Sequence, residues 1–364
     1  MVQNLIRPTL LLDRDKCRKN IETMAKKAAA AKLIFRPHFK THQSLQIGEW
    51  FQEFGVKKIT VSSVKMARYF ADAGWSDIVI AFPFNQLEID GINELAEKIN
   101  LTILLIHPES VFYLKEHLKH KVDVYIKIDC GYHRCGILAE DTAAISKLIS
   151  VIFGHGNLRF KGFLTHSGHA YHTTSVKQIM AIHEVTNYKM NLLKQQFKEK
   201  YPFVKVSIGD TPCCTLAERF PNVDEMRPGN FVFYDMMQVN LGVCQPSQIA
   251  VALACPIVSI DKERLEIVIY GGAVYLSKEY LVQEDGSHNF GSIVNFTETG
   301  WTEPITGMYV SALSQEHGII KVLPEQIGQF HLGDVIGVLP VHSCLTANLM
   351  REYVTLDGEV IDRL

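Results

Sequence analysis

The sequence has no uninterrupted apolar stretch close to the roughly 20 residues that a membrane-spanning helix needs. Residues 1–9 contain no apolar run behind a basic head, so we expect no secretory signal. Charge of one sign is not concentrated anywhere: the formal net charge is -2, and Lys and Arg are spread along the chain. These absences argue against a nucleic-acid or membrane partner and favour a cytoplasmic protein.

The chain also lacks a cysteine framework, a low-complexity linker and a short sequence repeat. Its 8 cysteines are scattered, which fits free thiols in a cytoplasmic protein better than disulfides. Apolar residues make up 47% of the chain, enough for a sizeable core and too many for a disordered protein. At roughly 100–200 residues per domain, 364 residues make one large domain or two ordinary ones.

Short β-rich runs alternate with longer helical patterns over the first part of the sequence. The predicted strands are residues 33–36, 58–61, 77–81, 101–106, 123–128, 160–164, 204–208 and 225–227. The predicted helices are residues 13–31, with Asp13 as N-cap, 45–54, 64–73, 86–99, 110–118, 143–152 and 175–200. This spacing is typical of βα units, in which parallel strands are joined by right-handed crossovers.

Eight βα units predict a closed (β/α)8 TIM barrel or, as the alternative, a doubly wound open sheet. Polar residues follow nearly every strand instead of clustering at one switch point, which favours the barrel. We therefore predict an α/β fold in which a (β/α)8 TIM barrel is followed by a C-terminal, mostly antiparallel β domain.

The C-terminal β domain is predicted from short strand patterns separated by Gly, Pro, Asn and Asp turns, without a long helical pattern. The predicted strands are residues 251–260, 264–270, 292–296, 306–311 and 335–339. Residues 6–12 form one more strand, which could pair with this domain. The predicted domains are accordingly residues 13–245 for the barrel and residues 1–12 plus 246–364 for the β domain.

The segment 36–42 (RPHFKTH) places Lys40 between a strand end and a helix start, flanked by His38 and His42. One interpretation is a catalytic lysine, because an amine can be tuned by burial and by cationic neighbours. The alternative is a solvated loop lysine, and the heptapeptide alone favours that alternative.

Two glycine turns follow the seventh and eighth predicted strands, at Gly209-Asp210-Thr211 and Pro228-Gly229-Asn230. Barrels often bind phosphate with the loops at these two positions, although most glycine turns only connect elements. A lysine after strand one that faces a phosphate cradle suggests pyridoxal phosphate. Arg134 and Tyr171, after strands five and six, would then flank the cofactor ring, with ordinary loop packing as the alternative.

His342 and Cys344 are two residues apart in a segment predicted to be a strand or an extended turn, so their side chains should point to one side. An imidazole and a thiolate together suit zinc with open positions for water or substrate. The alternative is a packed cysteine beside an unrelated histidine. His317, in the segment 314–318, is a further candidate near this pair.

Four segments, residues 36–42, 166–172, 227–229 and 340–348, resemble the D-serine dehydratase and D-threonine aldolase family in their expected order. That family belongs to the alanine-racemase-like, fold-type III pyridoxal-phosphate enzymes. The resemblance covers nearly the whole chain. It implies a barrel with a C-terminal β domain and a head-to-tail homodimer whose active sites are shared between subunits.

The resemblance also implies residue roles. Lys40 matches the Schiff-base lysine, Arg134 the arginine near the phenolic oxygen, and Tyr171 the tyrosine near the pyridine nitrogen. The implied cofactor-binding residues are Lys40, Arg134, His166, Tyr171, Gly209, Thr211, Gly229 and Asn230. His342 and Cys344 match the metal pair of the dehydratase branch, where the aldolase branch resembles His-x-Asp.

One departure from the family pattern concerns the substrate side. Where relatives tend to carry Asp-Ala-Gly, this chain has Tyr270-Gly271-Gly272-Ala273.

The first hypothesis is a lyase that uses pyridoxal phosphate and zinc, with Mn²⁺ or Mg²⁺ as other metals, to convert D-serine to pyruvate and ammonia. The second is a D-threonine-type aldolase with His169 or His317 as base. The third is a non-catalytic pyridoxal-phosphate-binding homeostasis protein, which the C-terminal domain argues against.

Overall fold

The computed structural model describes residues 5–364. The chain divides into two compact units: a barrel unit, Glu22–Gly229, and a β unit made of Met1–Ile21 together with Asn230–Leu364. Within residues 5–364, no helix has the length and apolar character needed to cross a bilayer. All 8 cysteines are free thiols.

The barrel unit contains eight parallel strands in the chain order that the sequence predicts, and a short ninth strand that was not predicted, Ile137–Leu138, pairs in parallel with the fifth. The eight are Ile34–Phe35, Ile59–Val61, Asp77–Pro83, Asn100–Leu105, Val122–Asp129, Leu158–Leu164, Lys205–Ile208 and Glu225–Met226. The sheet closes where Phe39 N–H donates to the Thr60 carbonyl and Thr60 N–H donates to the Pro37 carbonyl, both at 2.9 Å. The predicted (β/α)8 barrel is thereby confirmed.

The barrel strands read as apolar runs because both faces of a parallel sheet are covered. Val79, Leu104, Tyr125 and Leu164, from four of the strands, pack together with at most 1% of each side chain exposed. Such a filled interior makes the barrel a packed core and leaves chemistry to the loops that follow the strands.

Helices join the strands, and most begin at a side-chain cap. They are Leu45–Glu53, Val64–Asp72, Ile89–Lys98, Pro108–His117, Thr142–Phe153, Val176–Lys198 and Thr211–Leu216. Ser44, Ser63 and Ser175 each accept a backbone N–H of the first turn, as N-cap residues do. Arg14–Ala30 precedes the barrel strands, and Asp13 caps it as predicted by accepting Lys16 N–H at 3.0 Å. The predicted helix 86–99 is split into a 3-10 turn, Gln86–Glu88, and the α-helix Ile89–Lys98.

The β unit is organised around a nine-stranded sheet that closes on itself through Val251–Asp261 and Glu266–Tyr270. Its strands are Thr9–Leu12, Val251–Asp261, Glu266–Tyr270, Gly291–Val294, Tyr309–Leu313, His317–Lys321, Val335–Pro340, Glu352–Thr355 and Val360–Asp362. Thr9–Leu12 pairs antiparallel with Val251–Asp261, so the expected pairing of the N-terminal strand with this unit is confirmed.

Several elements of the β unit differ from the sequence prediction. The strand predicted from residue 264 begins at Glu266, because Leu265 has a φ of 57° and lies in a turn. The prediction missed His317–Lys321, Glu352–Thr355 and Val360–Asp362. It also missed the short hairpins Leu281–Val282 with His288–Asn289 and Phe296–Thr297 with Gly300–Trp301. The helices Met236–Asn240, Ala273–Leu276 and Ser343–Leu349 were not predicted either.

The expectation that His342 and Cys344 lie on a strand or extended turn is wrong. The strand ends at Pro340, His342 is the N-cap, and Cys344 is in the first turn of Ser343–Leu349. The buried carboxylate of Asp235 explains the turn into helix, since it accepts Ser343 N–H at 3.0 Å and thereby satisfies a free amide at the helix start.

Candidate active site

Lys40 lies in the turn that follows the first barrel strand, Ile34–Phe35. Lys40 is exposed to solvent, and its backbone carbonyl accepts a hydrogen bond from the Gln43 side-chain amide at 3.0 Å. The neighbouring Phe39 and Thr41 are fully buried, so the turn is anchored on both sides of the lysine. The loop thus presents Lys40 at the end of the barrel where the strands carry their carboxyl ends.

Two half-buried histidines of the barrel unit, His38 and His166, have pKa values that are lowered by burial and by the charge of Lys40. Burial and then the Lys40 charge hold the pKa of His38 well below its usual range, and the same two causes act in that order on the pKa of His166. His166 Nδ1–H donates to the Gly209 carbonyl. Both imidazoles are therefore neutral at pH 7, and His166 is tied to the loop after the seventh strand.

Arg36 and His42, the other polar residues near Lys40 in sequence, are parts of the core. Arg36 is fully buried, with Nε 2.6 Å from Glu225 and Nη1 2.7 Å from Asp77. His42 is also fully buried, and its ring packs against Phe39 and Phe51 at centroid distances of 4.4 and 5.6 Å. These contacts assign Arg36 a role in buried ion pairs and His42 a role in packing.

The glycine turn after the seventh strand is built for close approach. A Cβ on Gly209 would lie 2.9 Å from the Arg227 Cβ, a distance that real side chains do not tolerate. Asp210 caps Thr211–Leu216 by accepting Cys213 N–H at 2.7 Å, and burial raises the pKa of Asp210 to about 6. Tyr171 Oη accepts Thr211 N–H at 3.0 Å, which brings two predicted site residues into direct contact.

Gly229 borders the Lys40 turn. A Cβ there would lie 3.0 Å from both Cβ and the carbonyl oxygen of His38, and 3.3 Å from Thr41 Oγ1. The structure therefore brings the loop after the eighth strand against the loop after the first. A small residue is needed at position 229 to allow that approach.

Arg134 lies in the loop after the fifth strand, where it is exposed and its guanidinium carbon lies 5.1 Å from the centroid of Tyr132. Its charge contributes to lowering the pKa of His166, after burial and Lys40. The Tyr132 ring stacks on His169 at 6.1 Å and packs closely over Gly168. His169 Nδ1 is buried and has no hydrogen-bond partner within residues 5–364.

The sequence interpretation missed Lys127 and the role of Arg227 in the barrel unit. Lys127 is 5% exposed, and its Nζ donates to the Ile128 carbonyl at 3.0 Å. Burial lowers its pKa to about 8, and the charge of Arg227 acts in the same direction. Arg227 is 4% exposed and donates to Ser207 Oγ and the Thr165 carbonyl. A lysine inside the apolar run 123–128 was the signal that could have indicated a buried cation.

His342 and Cys344 lie side by side in the β unit. The nearby Cys344, Asp235 and Glu279 raise the pKa of His342 to about 9 against the effect of burial, which alone would lower it. His342 Nδ1 is 3.7 Å from Asp235 Oδ2 and has no hydrogen-bond partner among the described residues. An imidazole with an unpaired nitrogen next to a thiol fits a soft divalent cation such as zinc. Within residues 5–364, however, no group of three or more His, Cys, Asp or Glu converges on one point.

His317 and the Tyr270 departure lie together in the β unit, since His317 pairs with Tyr270 across neighbouring strands. A Cβ on Gly272 would lie 2.3 Å from the Gln315 carbonyl oxygen, so this backbone approach explains the glycine. Tyr275 Oη bridges the Tyr270 hydroxyl at 3.1 Å and Glu316 at 2.9 Å. The Tyr-Gly-Gly sequence therefore supports a phenol and carboxylate cluster beside His317.

Comparison with protein families agrees with this architecture. The family model "Alanine racemase, N-terminal domain" matches residues 12–236, and "Putative serine dehydratase domain" matches residues 250–356. D-serine dehydratase of Dictyostelium discoideum is 30% identical, with 99% of this chain and 96% of that protein aligned. The chain belongs to the alanine-racemase-like family that includes D-serine dehydratase.

Other members of this family are similar over the whole chain. D-threo-3-hydroxyaspartate dehydratase of Delftia sp. strain HT23 is 25% identical over 97% of this chain and 95% of that protein. Its solved structure superposes with a TM-score of 0.92, covering 100% of this chain and 98% of that one at 24% identity. D-threonine aldolase from Filomicrobium marinum superposes with a TM-score of 0.85 at 20% identity, covering 99% and 95%. At these identities the superpositions show a shared fold.

Proposed function

We propose that the protein is a pyridoxal-phosphate- and zinc-dependent lyase that acts on β-hydroxy D-amino acids and converts D-serine to pyruvate and ammonia. The observation that carries the proposal is the close approach of Gly229 to His38 and Thr41, which places the glycine turn after the eighth strand beside the turn that contains the exposed Lys40. The named relatives of this family, which are dehydratases and aldolases, support the reaction class.

The barrel residues fit the proposed cofactor. Gly209 and Thr211 lie in the loop after the seventh strand and Gly229 in the loop after the eighth, the two positions at which barrels often bind a phosphate. The residues that would hold the cofactor are Lys40, Arg134, His166, Tyr171, Gly209, Thr211, Gly229 and, through its backbone, Asn230. When bound, pyridoxal phosphate supplies a conjugated ring that stabilises negative charge at the substrate Cα.

The residues of the chain carry the remaining steps. Lys40 would hold the cofactor through its amine and would serve as the base that removes the proton from the substrate Cα. The neutral His166, tied to the Gly209 carbonyl, restricts the loop that faces this lysine. Arg134 and Tyr171 orient the ring, and the hydrogen bond between Tyr171 and Thr211 N–H holds the tyrosine on the phosphate loop.

His342 and Cys344 would hold zinc, which acts as a Lewis acid on the β-hydroxyl leaving group. A thiolate ligand suits zinc better than Mn²⁺ or Mg²⁺, which prefer oxygen. Support comes from a D-threo-3-hydroxyaspartate dehydratase, of which a mutant with a cysteine replaced by alanine has been solved in a metal-free form. With only two protein ligands, open positions remain for water and for the substrate hydroxyl.

A D-threonine-type aldolase is the second candidate, favoured by the structural similarity to D-threonine aldolase and by the unpaired, buried Nδ1 of His169. In that reaction a base removes the β-hydroxyl proton and the Cα–Cβ bond breaks. Cys344 in place of an aspartate favours the dehydratase.

We further propose a homodimer and a cytoplasmic location. We also propose residues 13–245 as the cofactor-binding domain and residues 1–12 plus 246–364 as the metal-binding domain.

Two assays on the purified protein test the proposal. With added pyridoxal phosphate, we expect the absorbance band of a lysine-bound cofactor in the wild type and its loss in Lys40→Ala. Pyruvate formation from D-serine is then compared with glycine and aldehyde formation from D-threonine. Absence of the band in the wild type would exclude the cofactor, and glycine formation without pyruvate would identify the aldolase.

A further inference from the structure

Asp235 occupies an unusual place in the β unit, because its carboxyl side chain is fully buried. Its Oδ1 caps Met236–Asn240 by accepting Gln238 N–H at 3.0 Å. Its Oδ2 accepts three donors: Asn230 Nδ2 at 2.5 Å, Ser343 N at 3.0 Å and Ser343 Oγ at 3.2 Å. Capping of Met236–Asn240 uses only Oδ1, so the contacts of Oδ2 serve another purpose.

That second oxygen faces the metal pair. Asp235 Oδ2 is 3.7 Å from His342 Nδ1, and by holding the Ser343 amide it fixes the residue between His342 and Cys344. A histidine that binds a metal through one ring nitrogen commonly presents its other N–H to a carboxylate, which sets the tautomer and the ring orientation. Asp235 faces Nδ1 at 3.7 Å, an ion-pair distance that is longer than a hydrogen bond, which leaves Nε2 for the metal.

Asn230 supports the other ligand. Its side-chain amide has two N–H donors; Asp235 takes one, and Ser343 Oγ and Cys344 Sγ lie near the amide nitrogen at 3.1 and 3.6 Å. A flipped amide would put its oxygen against the Asp235 carboxylate, so the orientation is determined. The side chain of Asn230 is therefore directed to the Cys344 group, which restricts any phosphate contact to its backbone.

The backbone beside Asp235 is strained. Tyr234 has a φ of 50°, in the left-handed region that a tyrosine rarely adopts. Such strain persists where the surrounding contacts over-determine the conformation, and it concentrates at functional sites. The strained residue immediately precedes the carboxylate that connects Asn230, Ser343 and His342.

We infer that Asp235 and Asn230 are positioning residues for the metal: Asp235 orients the imidazole of His342, and Asn230 donates to the sulfur of Cys344. The inference rests on the proposed function, because it requires His342 and Cys344 to bind a metal. It deepens that function by assigning the site a buried support that sets how tightly the cation is held.

Metal binding is measured directly, without an activity assay. The full-length protein is stripped of metal with a chelator and titrated with Co²⁺, whose thiolate charge-transfer absorbance reports Cys344 ligation. We expect Asp235→Asn, which keeps a capping side chain and removes the acceptor, to weaken Co²⁺ binding by about 10- to 100-fold. Asn230→Ala should shift the thiolate band, because it removes the N–H donor from the sulfur, even where the change in affinity is smaller.

The matched control is Asp13→Asn. Asp13 is a buried N-cap in the same unit that accepts Lys16 N–H, so the substitution repeats the chemical change away from the metal pair. Its Co²⁺ affinity should equal that of the wild type. If Asp235→Asn does not fold, the Asn230→Ala band shift decides. The inference would be overturned if Asp235→Asn and Asn230→Ala bound Co²⁺ with the affinity of the wild type and showed an unshifted thiolate band. A wild type without a thiolate band, or a band that survives Cys344→Ala, would instead refute the metal pair itself.

Discussion

At the scale of single residues, Gly229 shows how one missing methyl group shapes the candidate site. A Cβ there would contact His38 at 3.0 Å, and His38 is two residues from Lys40. The neighbouring atoms are backbone and a β-carbon, neither of which can swing away. The loop that would bind phosphate and the turn that would bind the cofactor aldehyde are thus coupled through contact at one position.

Gly229→Ala should therefore displace the Lys40 turn and lower pyridoxal-phosphate affinity, with a loss of stability of about 1–3 kcal/mol from overpacking. Gly156→Ala is the matched control, because a Cβ at Gly156 meets nothing within 4 Å. Cofactor titration followed by absorbance measures the first effect and urea unfolding the second. Equal cofactor affinity in the two variants would contradict the coupling.

The Asp210 carboxyl makes the stability of the protein depend on pH, and this effect can be measured separately from its role as a helix cap. Burial raises its folded-state pKa to about 6 from an ordinary 3.8, so the folded protein binds a proton more tightly than the unfolded chain. Its contribution to stability is therefore fully present below about pH 4 and is lost as the pH rises through about 6.

Asp210→Asn should raise stability at pH 7.5 by about 1–3 kcal/mol, because asparagine caps a helix equally well and cannot ionise. At pH 4.5 the gain should be much smaller. Urea unfolding at the two pH values measures the difference. Asp141→Asn, at an exposed cap, should show no comparable gain. A gain that does not change between the two pH values would contradict the assignment to Asp210.

At the scale of elements, Arg36 connects three barrel strands from inside the barrel. Its guanidinium pairs with Glu225 on the eighth strand and with Asp77 on the third, while Arg36 itself follows the first. The charges offset one another, and the positive charge of Arg36 holds the pKa of Glu225 low against the opposing effect of burial. Removal of one partner would leave a buried charge uncompensated.

Arg36→Met should cost about 3–5 kcal/mol of unfolding free energy, and adding Glu225→Gln should recover part of that loss because it removes the uncompensated charge. Arg68→Met, which breaks an exposed pair with Glu94, should cost less than about 1 kcal/mol. Urea denaturation of the wild type, Arg36→Met, Glu225→Gln, their double variant and Arg68→Met gives the values. Additive costs for Arg36→Met and Glu225→Gln would be inconsistent with a coupled pair.

The start of Ser343–Leu349 changes how the metal pair is understood. On a strand, residues two apart point to the same side, whereas here His342 precedes the helix and Cys344 belongs to its first turn. The two side chains meet because the helix begins between them, at an amide that Asp235 accepts. The local sequence offered His342 and Cys344 as candidate ligands, and it was wrong about the element that carries them.

At the scale of the whole molecule, each unit has its own apolar core. In the β unit Ala252, Leu253, Ile293 and Val338 are fully buried, so the sheet does not depend on a metal for its packing. A bound metal at 100 times its Kd adds about 2.7 kcal/mol to stability, which is less than the stability of a typical domain.

A chelator should therefore abolish pyruvate formation from D-serine while the far-ultraviolet circular dichroism spectrum stays unchanged. The unfolding midpoint should fall by only a few degrees. Added Zn²⁺ should restore activity, and His342→Ala should be inactive with or without it. Full activity after chelation would exclude the metal role, and unfolding on chelation would show that the metal is structural.

The sequence by itself determined the eight βα units, the strand ends at which polar residues collect, and the identities of Lys40, the glycine turns, His342 and Cys344 as candidates. These features are local, because helix and strand periods and turn residues are written in consecutive positions. The short strands of the β unit were harder to predict from the sequence, since paired residues such as Tyr270 and His317 lie far apart in the chain.

Only the tertiary structure decided which polar residues are buried and what they contact. Arg36 and His42 belong to the core, Lys127 and Arg227 are buried cations, and the Asn230 side chain is bonded to Asp235. Burial and pairing depend on residues that are distant in sequence, so no local pattern encodes them. The same reason explains the helix that begins at Ser343: its first amide is satisfied by a carboxylate 108 residues earlier.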